Sequence, residues 1–394
     1  MSTLKVDAIR HNSATSDAIT TASDGTCTAK ITSVGGGQLS HRNLIINGDF
    51  QVAQRASSSN NNGYTSVDRW KIESSNITHN STKSQQSLSS SDTPYTLGFR
   101  KFARIALAQA GVVASNSAAE IQQRIEAQDI ATSGWNYGSA SSNITLQFWF
   151  RCSTNQTFYG YFYSFDGTAQ VYTFSFTASG NNTWTKITKT IPGNSNLTID
   201  NDNGPGLQLK LIAFYGTNYT NNKTLDEWAA YDGANQMPDM ASTWLTAGAS
   251  TFDITGVQLE VGDTATTFEH RSFADELARC QRYFYRVSAA ASGTGSHKHI
   301  GTMQYYGGQY PFGKMLDLPV PMRTIPTGSF TGDIRAWTAG GSNNGSFTTI
   351  NFDRNDNKFL ASNGSTTNQN SGGSGNATPI TLYPNSTMSA DAEL

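Results

Sequence analysis

Charged side chains are scarce in this chain. Asp, Glu, Lys and Arg make up 14% of it, against roughly a quarter of an ordinary soluble protein. The two signs nearly cancel, with 27 basic against 29 acidic residues and a net charge of −2. No basic cluster stands out, so nucleic acid is not an expected partner, because such binding needs a concentrated positive face. Cysteine is nearly missing. Cys27, Cys152 and Cys280 lie far apart, without a CxxC or metal-type spacing; an odd count argues against a disulfide framework and predicts reduced thiols. No apolar run approaches about 18 residues, so neither a transmembrane helix nor membrane insertion is expected. The opening MSTLKVDAIRH has neither the basic nor the apolar region of a signal peptide. Gly35-Gly36-Gly37 lacks the following Lys and helix of a phosphate loop. His41 and His270 have no visible Ser or Cys partner, so no catalytic residue is assigned, and no cofactor and no metal are expected.

Apolar material is nonetheless plentiful. Hydrophobic residues are 37% of 394 and glycine adds 36 more, enough for two or three domains at roughly 150 residues each. Ser, Thr, Asn, Gln and Gly fill the place of the missing charges. From residue 43 to about 270 the sequence reads as short strands. LQFWFRC (146–152) sets Leu146, Phe148 and Phe150 against Gln147, Trp149 and Arg151; FYGYFYSF (158–165) gathers Tyr159, Tyr161, Tyr163 and Phe165. VYTFSFT (171–177) and LQLKLIAFY (207–215) alternate in the same way. A period of two is what a half-buried pleated strand requires. In FDITGVQLEV (252–261) the parity switches at Gly256, which predicts a bulge. Gly, Asn and Pro turns at regular intervals predict an all-β antiparallel sandwich.

Two stretches read as helix. SFADELARCQRYFYR (272–286) has Ser272 as N-cap, Asp275 and Glu276 in the first turn, and Phe273, Leu277 and Cys280 or Gln281 on one stripe. SAAEIQQRIEAQDI (117–130) spaces Ile121 and Ile125 by four, as a helix lying on the sandwich or as a strand. Residues 1–40 read as an extended arm that buries too little to order itself without partners. Residues 288–394 read as a smaller C-terminal β domain with Asn-Gly hairpins and the loop SGGSGN (371–376); residues 272–287 are expected to link it to a 43–270 sandwich.

Several blocks, in order, resemble tail-fibre or receptor-binding proteins of tailed bacteriophages: RNLIINGDFQVAQRA, YTSVDRW, ITLQFWFR, TWTKITKTIPG, and above all TFDITGVQLEVGDTATTFEHRSFADELARCQRYFYR. LPVPMRTIPT and the final DAEL are similar to the terminal domain of that group, and STLKVDAI with AITTASDGTCT to the leader of marine phage tail proteins. The resemblance implies a jelly-roll-like sandwich akin to carbohydrate-binding modules, a homotrimer, attachment to the tail or an adaptor protein through residues 1–40, and recognition of a host surface glycan. It also implies location in the virion tail after assembly in the host cytoplasm, consistent with the missing secretion signal. It brings no catalytic residues.

The chain holds 20 Phe, 16 Tyr and 7 Trp. Tyr159, Tyr161 and Tyr163 form either a sugar-stacking platform or a packed strand face, since planar rings suit the apolar side of a pyranose as well as a core. Trp135 in SGWNYGS and Trp228 in DEWAAY sit in loop contexts and are expected as exposed ligand contacts. Trp70 and Trp149 are read as core or sandwich edge. Acids are scattered (Asp129, Asp166, Asp200, Asp202, Asp226, Glu227, Asp232, Asp239), and nothing selects the opposed pair that glycoside cleavage needs. The chain is therefore expected not to be an enzyme; a polysaccharide-cleaving tailspike and a decoration protein without receptor role are the alternatives. Asp200–Gly204 and Asp353–Asn357 could offer oxygens to Ca²⁺ but lack the closing Glu, and read as polar turns. The His297-Lys298-His299 pair reads as a solvated loop.

Overall fold

In a computed structural model of the chain, the structure describes residues 6–10, 12–23, 26–29, 41–77, 81–291, 297–306, 310–336, 345–351, 359–366 and 377–394. Two six-stranded antiparallel sheets face each other. The front sheet runs in the order Thr185–Pro192, Asn143–Cys152, Ser250–Val261, Lys101–Leu107, Ser81–Ser87, Ser58–Ser59. The back sheet runs Trp228–Ala230, Gln170–Phe176, Phe158–Ser164, Pro205–Tyr215, Ala118–Glu126, Lys71–Ser75. The expected β-sandwich is what forms.

Alternation decides what fills the gap between them. Ile144, Leu146, Phe148 and Phe150 point inward from the front sheet and Phe158, Phe162, Phe174, Phe176, Leu207, Leu209 and Leu211 from the back; all are buried in one cluster. Their rings interlock edge to face, Phe150 against Phe176 at 4.9 Å and against Phe158 at 5.2 Å. That geometry sets the electropositive edge of one ring on the face of the next.

The segment from Asn43 closes one margin of the sandwich. Asn43 accepts from Ile45 N and Leu259 N at 3.0 Å each and donates to Val257 O at 3.2 Å. Asn47 occupies the left-handed region (φ 57°) and its amide donates to Val52 O and Asp68 O, both at 2.9 Å. Gly48 cannot carry a side chain, because a Cβ there would stand 2.0 Å from Val257 O.

The structure decides between the two readings of 117–130: residues 118–126 are a strand, followed by one helical turn at Ala127–Ala131. Ile121 and Ile125 share a face at a spacing of four in either geometry. The inward position between them is Gln123, whose amide bonds Ile46 N and Ile46 O at 2.9 and 2.8 Å, so a polar residue hid the alternation. The connecting helix is Phe273–Gln281, shorter than 272–287, because Phe284–Ser288 pairs with Thr387–Asp391. Ser272 does cap it, accepting from Asp275 N at 3.1 Å, but Phe273 is exposed while Glu276 and Cys280 are buried. Within the arm, Ala8–Ile9, Ile19–Thr21 and Cys27–Ala29 make a small antiparallel sheet.

Beyond the helix, Lys298–Tyr306, Tyr310–Asp317, Phe359–Thr366, Gly345–Asn351, Ile334–Ala336 and Ala377–Leu382 close into a barrel in that order. A three-stranded sheet of Phe284–Ser288, Thr387–Asp391 and Thr327–Thr331 lies beside it. The two modules are joined by charge. Glu393 pairs with the buried Arg69 and, at 3.2 Å, with Arg55, and Arg323 donates across to Asn203 O at 2.8 Å. Asp353–Asn357, SGGSGN and Gly35-Gly36-Gly37 lie outside the described residues.

Candidate functional site

Each sheet has an outer face, and the two differ. On the back sheet, Tyr159, Tyr161 and Tyr163 do share that face, but the 216–240 segment covers much of it. Tyr161 is 2% exposed in a cluster with Val171, Ile212, Tyr215 and Met237, and its hydroxyl donates to Gln236 Oε1 at 3.0 Å. Burial pushes its phenol well above the ordinary tyrosine value. Tyr159 and Tyr163 are half-buried, Tyr163 against Tyr231 at 4.9 Å and Phe165 at 4.8 Å.

The loop tryptophans also correct expectation. Trp135 is 3% exposed within the sandwich core and donates to Ser142 O at 3.2 Å, because the SGWNYGS loop folds back on its own strand. Trp228 is half-buried, rests on Tyr172 at 5.5 Å and donates to Pro192 O at 2.7 Å. Neither stands free in solvent.

The front sheet's outer face has two halves. One is sealed by ions: the fully buried Asp253 accepts from Arg104 at 2.7 and 2.8 Å and from Arg151 at 2.9 Å. Asp92 beside it accepts from Arg151 at 3.1 Å and from the Trp184 indole at 3.0 Å. The other half is an open groove of about 420 Å³, within the usual range of about 300–1,000 Å³ for ligand sites, with Trp149, Phe99, Phe268, Gln147, Lys186 and His270 among its walls.

Local sequence builds this groove. Trp149 faces outward because Phe148 and Phe150 take the inward parity. At Gly256 the register with the neighbouring strand shifts between Thr255 and Gln258, the expected bulge. Gly256 has φ +63°, and a Cβ there would meet Phe99 at 2.8 Å and Trp149 at 3.2 Å. Phe99, Phe268 and His270 then pack together at centroid distances of 4.8 to 5.0 Å. The 262–270 loop that forms one wall is pinned by Gln147 donating to Thr266 O at 2.7 Å and by Glu260 accepting from Thr266 N at 2.9 Å. His270 Nε2 lies 2.9 Å from Leu97 O and ties in the opposite wall.

Trp149 itself is half-buried. Trp70, Trp135, Trp184, Trp228 and Trp244 each use their indole N–H within the chain. Among the described tryptophans only Trp149 makes no such bond. It lines the groove with an N–H that has no partner in the chain, a combination suited to an apolar sugar face and its hydroxyls. The sequence held two signals for this site, the outward parity of Trp149 in 146–152 and the parity switch at Gly256.

No family model matches the chain, and no curated protein matches it. Among solved structures it is similar to the enzymatically active domain of tailspike protein 4 of bacteriophage CBA120, at 12% identity and a TM-score of 0.31, over 56% of this chain and 21% of that one. The chain thus spans about a fifth of that tailspike's length. It is also similar to the family 11 carbohydrate-binding module of cellulosomal cellulase Lic26A-Cel5E of Clostridium thermocellum, at 12% identity, over 54% of this chain and 97% of that one, TM-score 0.26. A third neighbour is TmCBM61 in complex with β-1,4-galactotriose, at 7% identity, over 57% of this chain and all of that one, TM-score 0.27.

Proposed function

We propose that this chain is a glycan-binding fibre protein of a tailed bacteriophage, recognising host surface glycan through the groove beside Trp149. One observation carries the binding part: a half-buried indole lines an open groove with its N–H unpartnered while the other described tryptophans spend theirs inside the fold. Stacking on such a ring and a hydrogen bond from it suit a neutral pyranose.

The virion part rests on the sequence blocks quoted above, the 251–286 stretch most of all. On this reading residues 1–40 attach to the tail or an adaptor, the chain assembles as a homotrimer, and weak single sites gain strength from three copies per fibre. Binding without cleavage is the favoured mode. Among the described residues lining the groove there is no Asp or Glu, whereas glycoside hydrolysis uses two carboxylates across the sugar.

The test is a titration of purified chain with host envelope polysaccharide, with Trp149→Ala alongside and a reducing-end assay on the same mixtures. Saturable binding lost in Trp149→Ala, with no new reducing ends, supports the reading. New reducing ends would replace it with a tailspike enzyme, and saturable binding unaltered by Trp149→Ala would remove the groove from it.

A further inference from the structure

His270 lines the groove and also lines a second cavity of about 720 Å³ between the sandwich margin, the Phe273–Gln281 helix and Val320-Pro321 of the C-terminal module. We infer that this cavity is an acidic-sugar subsite adjoining the Trp149 groove at His270, holding the carboxylate of a uronate-type residue against Arg279 and His41. The inference rests on the glycan-binding reading of that groove and adds the chemical class of the sugar.

Three guanidinium groups, Arg271, Arg279 and Arg282, line the cavity together with two carboxylates, Glu269 and Asp275. The charges are unevenly matched. Arg282 is held bidentate by Glu126 at 2.9 and 2.7 Å. Arg271 lies between Glu269 at 3.1 Å and Glu276 at 3.4 Å. Glu269 also accepts from the backbone N–H of Asn43 at 2.8 Å and from that of His41. Asp275 accepts from the Ser272 hydroxyl at 2.6 Å at the start of the helix. The acids are thus occupied by backbone, hydroxyl and arginine donors.

Donors are left over. Among the described residues Arg279 has no carboxylate in ion-pair contact; its Nη2 donates to His41 Nδ1 at 3.0 Å. A guanidinium only donates, so Nδ1 is the acceptor in this contact. Imidazole is a poorer acceptor for this cation than a carboxylate, whose charge and planar oxygens match the guanidinium fork. Arg271, by contrast, is engaged: besides its two carboxylates it donates to Ile45 O at 3.1 Å and to Asn43 O. Val320 and Pro321 supply apolar surface for the sugar ring in the same cavity.

The test compares the full chain on uronate-containing oligosaccharides and on their carboxyl-reduced, neutral counterparts, by calorimetric titration. The uronate member should bind at least tenfold tighter, about 1.4 kcal/mol. Arg279→Gln should erase that preference while keeping the neutral affinity, Arg279→Lys should restore part of it, and Trp149→Ala should weaken both members together. Unchanged melting temperatures establish that the Arg279 variants are folded. Equal binding of the two members by the unaltered chain, or a preference that survives Arg279→Gln, overturns the acidic subsite and leaves the glycan reading standing. Binding of neither member, together with no binding of envelope polysaccharide, overturns both.

Discussion

Gly256 and Trp149 touch across the bulge in the front sheet: a Cβ on Gly256 would lie 3.2 Å from Trp149 Cδ1, and φ there is +63°. The groove's indole is therefore placed by a residue with no side chain. Gly256→Ala should strain the backbone and displace the ring, costing about 1–3 kcal/mol of stability. It should also weaken glycan binding in molecules that remain folded, which denaturant titration and calorimetry measure separately.

Trp135 gives the opposite pattern. It is buried and bonded to Ser142 O, so Trp135→Ala should cost about 3–5 kcal/mol by leaving a cavity. Glycan affinity per folded molecule should not change. A variant that is as stable as the parent but has lost binding would show that this loop tryptophan, and not Trp149, is the contact.

These two residues show how far the sequence could be read. The strands 146–152, 171–176 and 207–211 follow directly from alternation, and parity puts Trp149 opposite Phe148 and Phe150. Parity does not say whether the opposite face is covered. That depends on the 92–99 and 262–270 segments, which arrive from far along the chain and roof only part of the sheet. Likewise nothing local to SGWNYGS reveals that it folds inward. Composition favoured a loop, while packing of Trp135 into the sandwich core decides its burial. The cavity shared by His41 and Arg279 joins residues 238 positions apart and has no local signature at all.

Glu393 should behave as a clamp between the modules. Glu393→Ala leaves Arg69, which is 1% exposed, without its carboxylate, a loss of about 3–5 kcal/mol for a buried pair broken on one side. Calorimetric unfolding should then resolve the C-terminal module from the sandwich, whereas a single unshifted transition would show that the pair does not hold them together.

Lys83 sets a pH dependence. It is 1% exposed, its ammonium donates to Asn60 O at 3.1 Å and Ser81 O at 3.3 Å, and burial lowers its pKa from 10.5 to about 8, with Glu73 opposing. Between these values the unfolded chain binds the proton more tightly than the folded one, so stability should rise as pH increases from about 8 toward 10.5. The rise attributable to this group should be roughly 2 kcal/mol and should vanish in Lys83→Met. Denaturant midpoints at pH 7.5 and 9.5 for both proteins measure it; an equal rise in the variant would assign the effect to other groups.

The groove's role is tested most directly by the indole N–H resonances of ¹⁵N-labelled chain during titration with host envelope polysaccharide, with the Trp149 signal assigned by Trp149→Phe. The Trp149 resonance should shift saturably while those of Trp70, Trp135, Trp184, Trp228 and Trp244 stay in place. Saturable binding with the Trp149 resonance unmoved would contradict that role.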